Sequence, residues 1–231
     1  MVLGRCSRRL PRGAIERLVW SLSLALFACA PALAQSSSDQ PAPPGGKLLD
    51  DFVDGVHSLS ADFRQDLWSA DGTLIEESSG HFALKRPNRF LWNYEKPIQQ
   101  EVVCDGKHLW MYDVELAQVT VTALDEPSAS TPAMLLSGDK SVRDEFEIVG
   151  SSRTEGLDWV QVKPKLQGTD FRSIRIGFRD GDLARLELVD GLDQTTRIEF
   201  SNLVRNPSLE DSMFEFTVPA GVDVIGDLSG K

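Results

Sequence analysis

Lys85-Arg86-Pro87-Asn88-Arg89-Phe90-Leu91-Trp92-Asn93-Tyr94-Glu95-Lys96-Pro97 is the stretch that decides the fold. It reads as a basic turn running into a strand whose rings, Phe90, Trp92 and Tyr94, recur at every second residue. Side chains of a strand alternate between faces, so the three rings share one side of a sheet. Rings gathered on one face either fill a core or offer a wide apolar surface to a ligand.

Working outward, the period of two continues on both sides. Leu59, Ala61, Phe63, Gln65 and Leu67 alternate with polar residues up to the hairpin turn Asp71-Gly72. Leu74 to Leu84 returns as a strand with a bulge near Gly80. Val102-Val103-Cys104 leads through the turn Asp105-Gly106 to Leu109–Tyr112, and Glu115–Thr122 favours another strand. Further strand signals fall at Phe146–Val149, Trp159–Val162, Phe171–Phe178, Leu183–Val189 and Thr195–Phe200, with a last one at Phe214–Val218 before Pro219. A sheet of about ten antiparallel strands cannot stay flat and curls into a barrel or half-barrel.

Two segments carry helical spacing instead. Leu48, Leu49, Phe52, Val53 and Val56 predict an amphipathic helix from about Gly46 to His57. Thr131-Pro132 starts a short apolar helix through Ala133, Met134, Leu135 and Leu136 that stops at Gly138. The fold class is therefore α+β: a curled antiparallel sheet forming an open half-barrel, capped by short helices.

The N-terminus reads as an export signal. Arg5, Arg8, Arg9, Arg12 and Arg17 precede an apolar core at Leu18–Ala28, and Ala32-Leu33-Ala34 is a small-x-small cleavage site. The expected organisation is a signal peptide at 1–34, a Ser/Pro/Gly-rich flexible leader at 35–46 and one domain at 47–231. Leu26-Phe27-Ala28-Cys29 also resembles a lipoprotein signal, in which Cys29 would be acylated, although Phe27 is bulky for that role. Ser7-Arg8-Arg9 resembles a twin-arginine signal less well, because Pro11 stands where a large apolar residue is usual.

Charge and cysteine content narrow the function. The chain carries a formal charge of −11, and loss of residues 1–34, net +4, takes it to −15. A chain this acidic is repelled by nucleic acid and by anionic lipid. Cleavage removes Cys6 and Cys29, so Cys104 is left without an intramolecular partner in an oxidising compartment. His57, His81 and His108 are scattered, and no metal, phosphate-loop or nucleophile motif accompanies them, so neither cofactor nor metal nor catalysis is expected. The rings Trp68, Trp92, Trp110, Trp159, Phe63, Phe82, Phe90 and Tyr94 are open to two readings, a filled barrel core or a hydrophobic cavity.

Several segments, in order, resemble the periplasmic outer-membrane lipoprotein carrier family of Gram-negative bacteria, LolA. They are Leu59-Ser60-Ala61-Asp62-Phe63-Arg64-Gln65, Gly80-His81-Phe82-Ala83-Leu84-Lys85-Arg86-Pro87-Asn88-Arg89-Phe90-Leu91-Trp92, and Asp105-Gly106-Lys107-His108-Leu109-Trp110-Met111-Tyr112. Thr131-Pro132-Ala133-Met134-Leu135-Leu136 and Phe214-Glu215-Phe216-Thr217-Val218-Pro219-Ala220-Gly221-Val222 complete the series. The resemblance implies a soluble, monomeric periplasmic carrier whose cavity encloses the acyl chains of lipoproteins. It would take this cargo from an inner-membrane ATP-driven releasing complex and pass it to an outer-membrane receptor lipoprotein, hydrolysing nothing itself.

The resemblance also implies roles for single residues. Arg86 would latch the empty, closed state by donating to backbone carbonyls of the helical lid, a task for which its planar donor fork suits it. Phe63, Phe90, Trp92, Tyr94 and Trp110 would line the cavity or its rim, and Met134, Leu135 and Leu136 the lid. Arg89 beside the aromatic strand and the small Ala133 depart from the pattern and bear on the details of closure. Two other roles fit the same fold: an outer-membrane receptor anchored through Cys29, and an exported lipid-sensing regulator of a protein partner.

Overall fold

The computed structural model describes residues 44–124, 132–138, 146–165 and 171–226. The expected signal peptide, Cys29 and the expected leader up to residue 43 therefore lie outside the described residues, as does Thr131. Helix α1 spans Gly45–Gly55 and begins inside the stretch expected to be leader. The strands are β1 (Ser58–Trp68), β2 (Leu74–Lys85), β3 (Arg89–Lys96), β4 (Gln100–Asp105), β5 (His108–Asp113) and β6 (Gln118–Ala123). Helix α2 (Pro132–Ser137) follows, then β7 (Phe146–Thr154), β8 (Leu157–Pro164), β9 (Phe171–Arg179), β10 (Asp182–Asp190), β11 (Thr195–Arg205) and β12 (Asp223–Gly226).

All twelve strands form one sheet in the order β12-β6-β5-β4-β3-β2-β1-β11-β10-β9-β8-β7. Among the described residues every ladder is antiparallel except β12 on β6, which is parallel, and the two edge strands do not pair, so the sheet is an unclosed half-barrel. The register puts Leu59, Ala61 and Phe63 of β1 opposite Leu84, Phe82 and Gly80 of β2, which in turn face Phe90, Trp92 and Tyr94 of β3. These residues form the concave face and join the main core with Ile198, Leu186, Leu188, Ile174, Ile176, Val160 and Val162 from the far half of the sheet. Helix α1 lays its stripe of Leu49, Phe52 and Val56 into this face, with the Phe52 and Phe178 rings 5.5 Å apart.

The bulge near Gly80 is present: the β2–β3 register shifts between Ser79 and Gly80. A Cβ built on Gly80 would fall on the backbone carbonyl of Asn93. Gly80→Ala is therefore expected to cost at least about 3 kcal/mol, the upper part of the range for overpacking. Thermal melts that show no loss for Gly80→Ala would contradict this, and Gly55→Ala, which meets nothing within 4 Å, is the matched control.

One expected strand is corrected. Phe214–Val218 is not a strand: Asp211–Phe214 is a single 3-10 turn, and the chain then runs without a ladder through the turn Pro219–Val222 to β12. Its alternating apolar residues are satisfied differently. Phe214 is buried, while Phe216, Val218 and Val222 pack on Leu91, Val103, Trp110 and Val121 of the convex face. The segment crosses β3 to β6 instead of running beside one of them, so the period of two survives and the hydrogen-bonded ladder does not. The run read as Glu115–Thr122 is also shortened to β6, because Val114–Ala117 make the turn that precedes it.

Candidate functional site

A cavity of about 260 Å3 opens on the concave face. Phe90, Trp92 and Tyr94 of β3, Val102 of β4 and Met111 of β5 form one wall, and Leu188, Thr196 and Ile198 of β10 and β11 the other. Gln65 of β1, Phe171 of β9 and Ala133 of α2 complete the lining. Rings behind the lining hold its own in place: Phe63 meets Trp92 and Tyr94 edge to face at 5.3 and 5.0 Å, and Phe82 lies tilted against Trp92 at 4.7 Å between centroids. The lining is apolar but for Gln65, Thr196 and the Tyr94 hydroxyl, which donates to Gln65 Oε1 at 3.2 Å. Such a surface has few groups to orient a polar substrate and suits hydrocarbon. The volume falls below the ~300–1,000 Å3 of ordinary ligand clefts, so a long acyl chain requires the walls or lid to move.

Burial pushes the Tyr94 phenol up to about 12, although the Gln65 bond opposes the shift. Its neutral form is thus favoured in the fold, while an unfolded tyrosine ionises near ~10. This contribution to stability is complete below pH ~10 and is lost as pH rises toward 12. Alkaline denaturation followed by phenolate absorbance is expected to show it, and Tyr94→Phe to flatten it; an unchanged alkaline limb in Tyr94→Phe would contradict the assignment.

The turn between β2 and β3 fastens both helices. Arg86 Nε donates to the carbonyl of Val56, at the C-terminus of α1, at 2.7 Å, and its Nη1 donates to the carbonyl of Gly138, just past α2. The guanidinium also lies over the Phe52 ring, 5.3 Å from its centroid. Backbone bonds reinforce the junction: Arg86 N–H to His57 O and Asn88 N–H to Ser137 O. A guanidinium reaches two carbonyls on separate elements at once, which an ammonium of the same charge does with less defined geometry.

Residues around this turn brace it from the other side. Lys85 Nζ donates to Leu209 O at 2.7 Å and to Asp211 at 2.5 Å, and Arg89 pairs with Asp211 at 2.8 Å. These two cations hold the Asp211 carboxyl below its usual range, the Lys85 bond most strongly. Arg89, which departs from the family pattern, therefore faces the C-terminal segment and not the cavity. Asn206 ties the other side of α1, accepting from His57 and Ser58 N–H and donating to Gly55 O. Cys104 lies under the same turn, its thiol donating to Asn88 O at 2.9 Å, and burial pushes its pKa up to about 11.

The structure sorts the residues singled out in the sequence. Phe90, Trp92 and Tyr94 line the cavity, and Phe63 stands behind them in the same ring cluster. Trp110 does not join them. It pairs with Val103, and Val103 with Leu91, which places it on the convex face, stacked on Phe216 at 5.3 Å. Its indole N–H is held by Asp105, whose carboxyl burial would raise but whose bonds from Trp110, His108 and Lys107 bring below the usual range. In α2, Leu136 is buried in the main core together with Ala133. The side chains of Met134 and Leu135 lie outside what the structure describes.

The far wall, from Phe171, Leu188, Thr196 and Ile198, was not singled out, although its strands show the same alternation. His81 meets Asp62 at 2.7 Å and Ser60 at 3.2 Å, because Asp62 and His81 are directly paired across β1 and β2. This series lies on the exposed convex face, away from the cavity.

The family profile described as outer membrane lipoprotein carrier protein LolA matches residues 54–217. An outer-membrane lipoprotein carrier protein of Dechloromonas aromatica (strain RCB) is 40% identical over 207 residues, covering 89% of this chain and 96% of that one. One from Methylococcus capsulatus (strain ATCC 33009 / NCIMB 11132 / Bath) is 42% identical over 179 residues, covering 78% and 86%. Among solved structures, an uncharacterized conserved protein from Thermus thermophilus shares the fold, with a TM-score of 0.50 at 13% identity over 78% of this chain and 97% of that one.

Proposed function

The chain belongs to the outer-membrane lipoprotein carrier family LolA, and from this premise we propose that it shields the acyl chains of lipoproteins in its concave cavity. The cargo is taken from an inner-membrane ATP-driven releasing complex and handed to a receptor lipoprotein at the outer membrane, without catalysis. Residues 1–34 direct export to the periplasm and are removed after Ala34, which mass measurement of the exported chain tests. Among the described residues no helix is long and apolar enough to cross a membrane.

The observation that carries this reading is an apolar cavity bordered by α2, beside a junction at which one arginine fastens the ends of α1 and α2. Each buried methylene contributes ~0.8 kcal/mol, so acyl chains supply more drive than a usable affinity needs. Delivery depends on the difference between carrier and receptor, and a lid that must be unlatched lowers net affinity in the carrier. The direct test is displacement of a fluorescent fatty acid from chain 35–231. A triacylated lipoprotein is expected to displace it stoichiometrically and the deacylated form is not. Equal displacement by both forms would remove the acyl cavity from the account.

A further inference from the structure

The few polar groups of the cavity are gathered in one patch. Gln65 and Tyr94 are joined by the bond from the tyrosine hydroxyl to Gln65 Oε1. Thr196 pairs with Leu67, two residues along β1 from Gln65, so its side chain lies on the same concave face. With its Oε1 engaged by Tyr94, the Gln65 amide keeps its N–H donors, and Gln65 makes no other side-chain hydrogen bond among the described residues.

Trp92 adds a donor beside them. Trp110 and Trp159 donate to Asp105 and to Thr154 O, whereas Trp92, which lines the cavity, is 5% exposed and its indole N–H has no partner among the described residues. An unpaired buried donor is a cost that the fold carries until something accepts from it.

The charge around the patch is negative. No lysine, arginine or histidine lines the cavity among the described residues. Glu76 pairs with Leu67 on the concave face, is held by Ser78 Oγ at 2.8 Å, and its charge reaches Tyr94. Donors without a cation, next to a carboxylate, favour a neutral acceptor. An anionic head would be desolvated there without a counter-charge and repelled.

We propose that this patch binds the neutral carbonyl of the acyl linkage, ester or amide, so that the cavity selects its ligand by the head of each chain as well as by the hydrocarbon. The inference rests on the carrier reading above. Gln65 Nε2 and Trp92 Nε1 donate to the carbonyl oxygen, the indole once the wall moves to admit a chain. Tyr94 holds the Gln65 amide in orientation, and Glu76 turns away free carboxylates. A site built to hydrogen-bond a group rejects the analogue that lacks it, because its own donors are then left unpaired. The same carbonyl occurs in the acylated cysteine of a lipoprotein and in a phospholipid.

The test compares two S-glyceryl-cysteine lipopeptides, one carrying palmitoyl esters and one hexadecyl ethers, as competitors of a fluorescent fatty acid on chain 35–231. The ester is expected to bind at least about tenfold more tightly than the ether. In Gln65→Leu/Trp92→Phe that ratio should fall toward one, whatever the substitutions do to the affinity for hydrocarbon. Equal binding of ester and ether by the unaltered chain, or a ratio that survives in the double variant, would overturn the patch. Glu76→Gln should raise the affinity for palmitate relative to methyl palmitate, and a ratio that stays fixed would overturn the exclusion of anionic heads. Dipalmitoyl phosphatidylethanolamine identifies the source. Competition that the double variant loses places the carbonyl on phospholipid, and competition by the lipopeptide alone places it on acylated cysteine. A chain that takes up neither lipopeptide nor fatty acid fails the carrier reading itself; one that takes up both lipopeptides equally keeps that reading and loses the patch.

Discussion

Arg86→Leu is expected to accept lipoprotein and then to deliver it at least tenfold more slowly than the unaltered chain. Arg86 bonds Val56 O and Gly138 O, and under the proposed function only a closed form would gain from both bonds. A hydrogen bond from a charged donor is worth ~1.5–3 kcal/mol, so losing both weakens the closed form by about 3 kcal/mol or more. That is roughly a hundredfold in the balance between closed and open lid. An open lid leaves loading intact and removes what competes with cargo, so cargo stays. Arg86→Lys keeps the charge but loses the fork, and is expected to fall between the two. Delivery from the leucine variant at the unaltered rate, measured with labelled lipoprotein and receptor, would take the latch away from Arg86.

The second large effect is on stability. Trp92 touches Phe63, Phe82, Tyr94 and Phe200 and also lines the cavity, so Trp92→Ala removes the centre of the ring cluster. Truncating such a residue costs ~3–5 kcal/mol, which for a chain of this size lowers Tm by on the order of 10 °C. Trp92→Phe separates packing from polarity. The Trp92 Nε1 is buried with no hydrogen-bond partner among the described residues, so the phenylalanine variant discards an unpaired donor and should lose far less. Equal losses in the two variants would show that the ring cluster does not carry the stability assigned to it.

The strands and their alternation were legible because a period of two is written locally. Gly80 is an example: a glycine inside a strand pattern predicts a bulge, and the register slips there. Which face becomes concave is not local. Trp110 looks like a cavity ring in sequence, but its pairing with Val103 fixes its side, and pairing depends on where two turns set the register. The far wall of the cavity shows the same limit, since Ile198 and Leu188 meet Trp92 only after β11 closes onto β1, more than a hundred residues away.

Phe214–Val218 failed for a related reason. An extended segment packed across a sheet and a strand paired within one share an apolar period, and only the backbone partners differ. The Lys85–Asn88 turn that carries Arg86 was legible from Pro87-Asn88 between two strand patterns. Asp211 and Asn206, which hold that turn and the end of α1 from the C-terminal segment, had no local signal, because each acts on residues more than a hundred positions away.

The most direct measurement is release from spheroplasts making a labelled outer-membrane lipoprotein, with purified chain 35–231 added to the medium. The account predicts that label leaves the membrane as a soluble one-to-one complex with the chain, and that a fatty acid filling the cavity beforehand blocks it. Label that stays with the spheroplasts, while an established carrier releases it in parallel, would contradict the account at its centre.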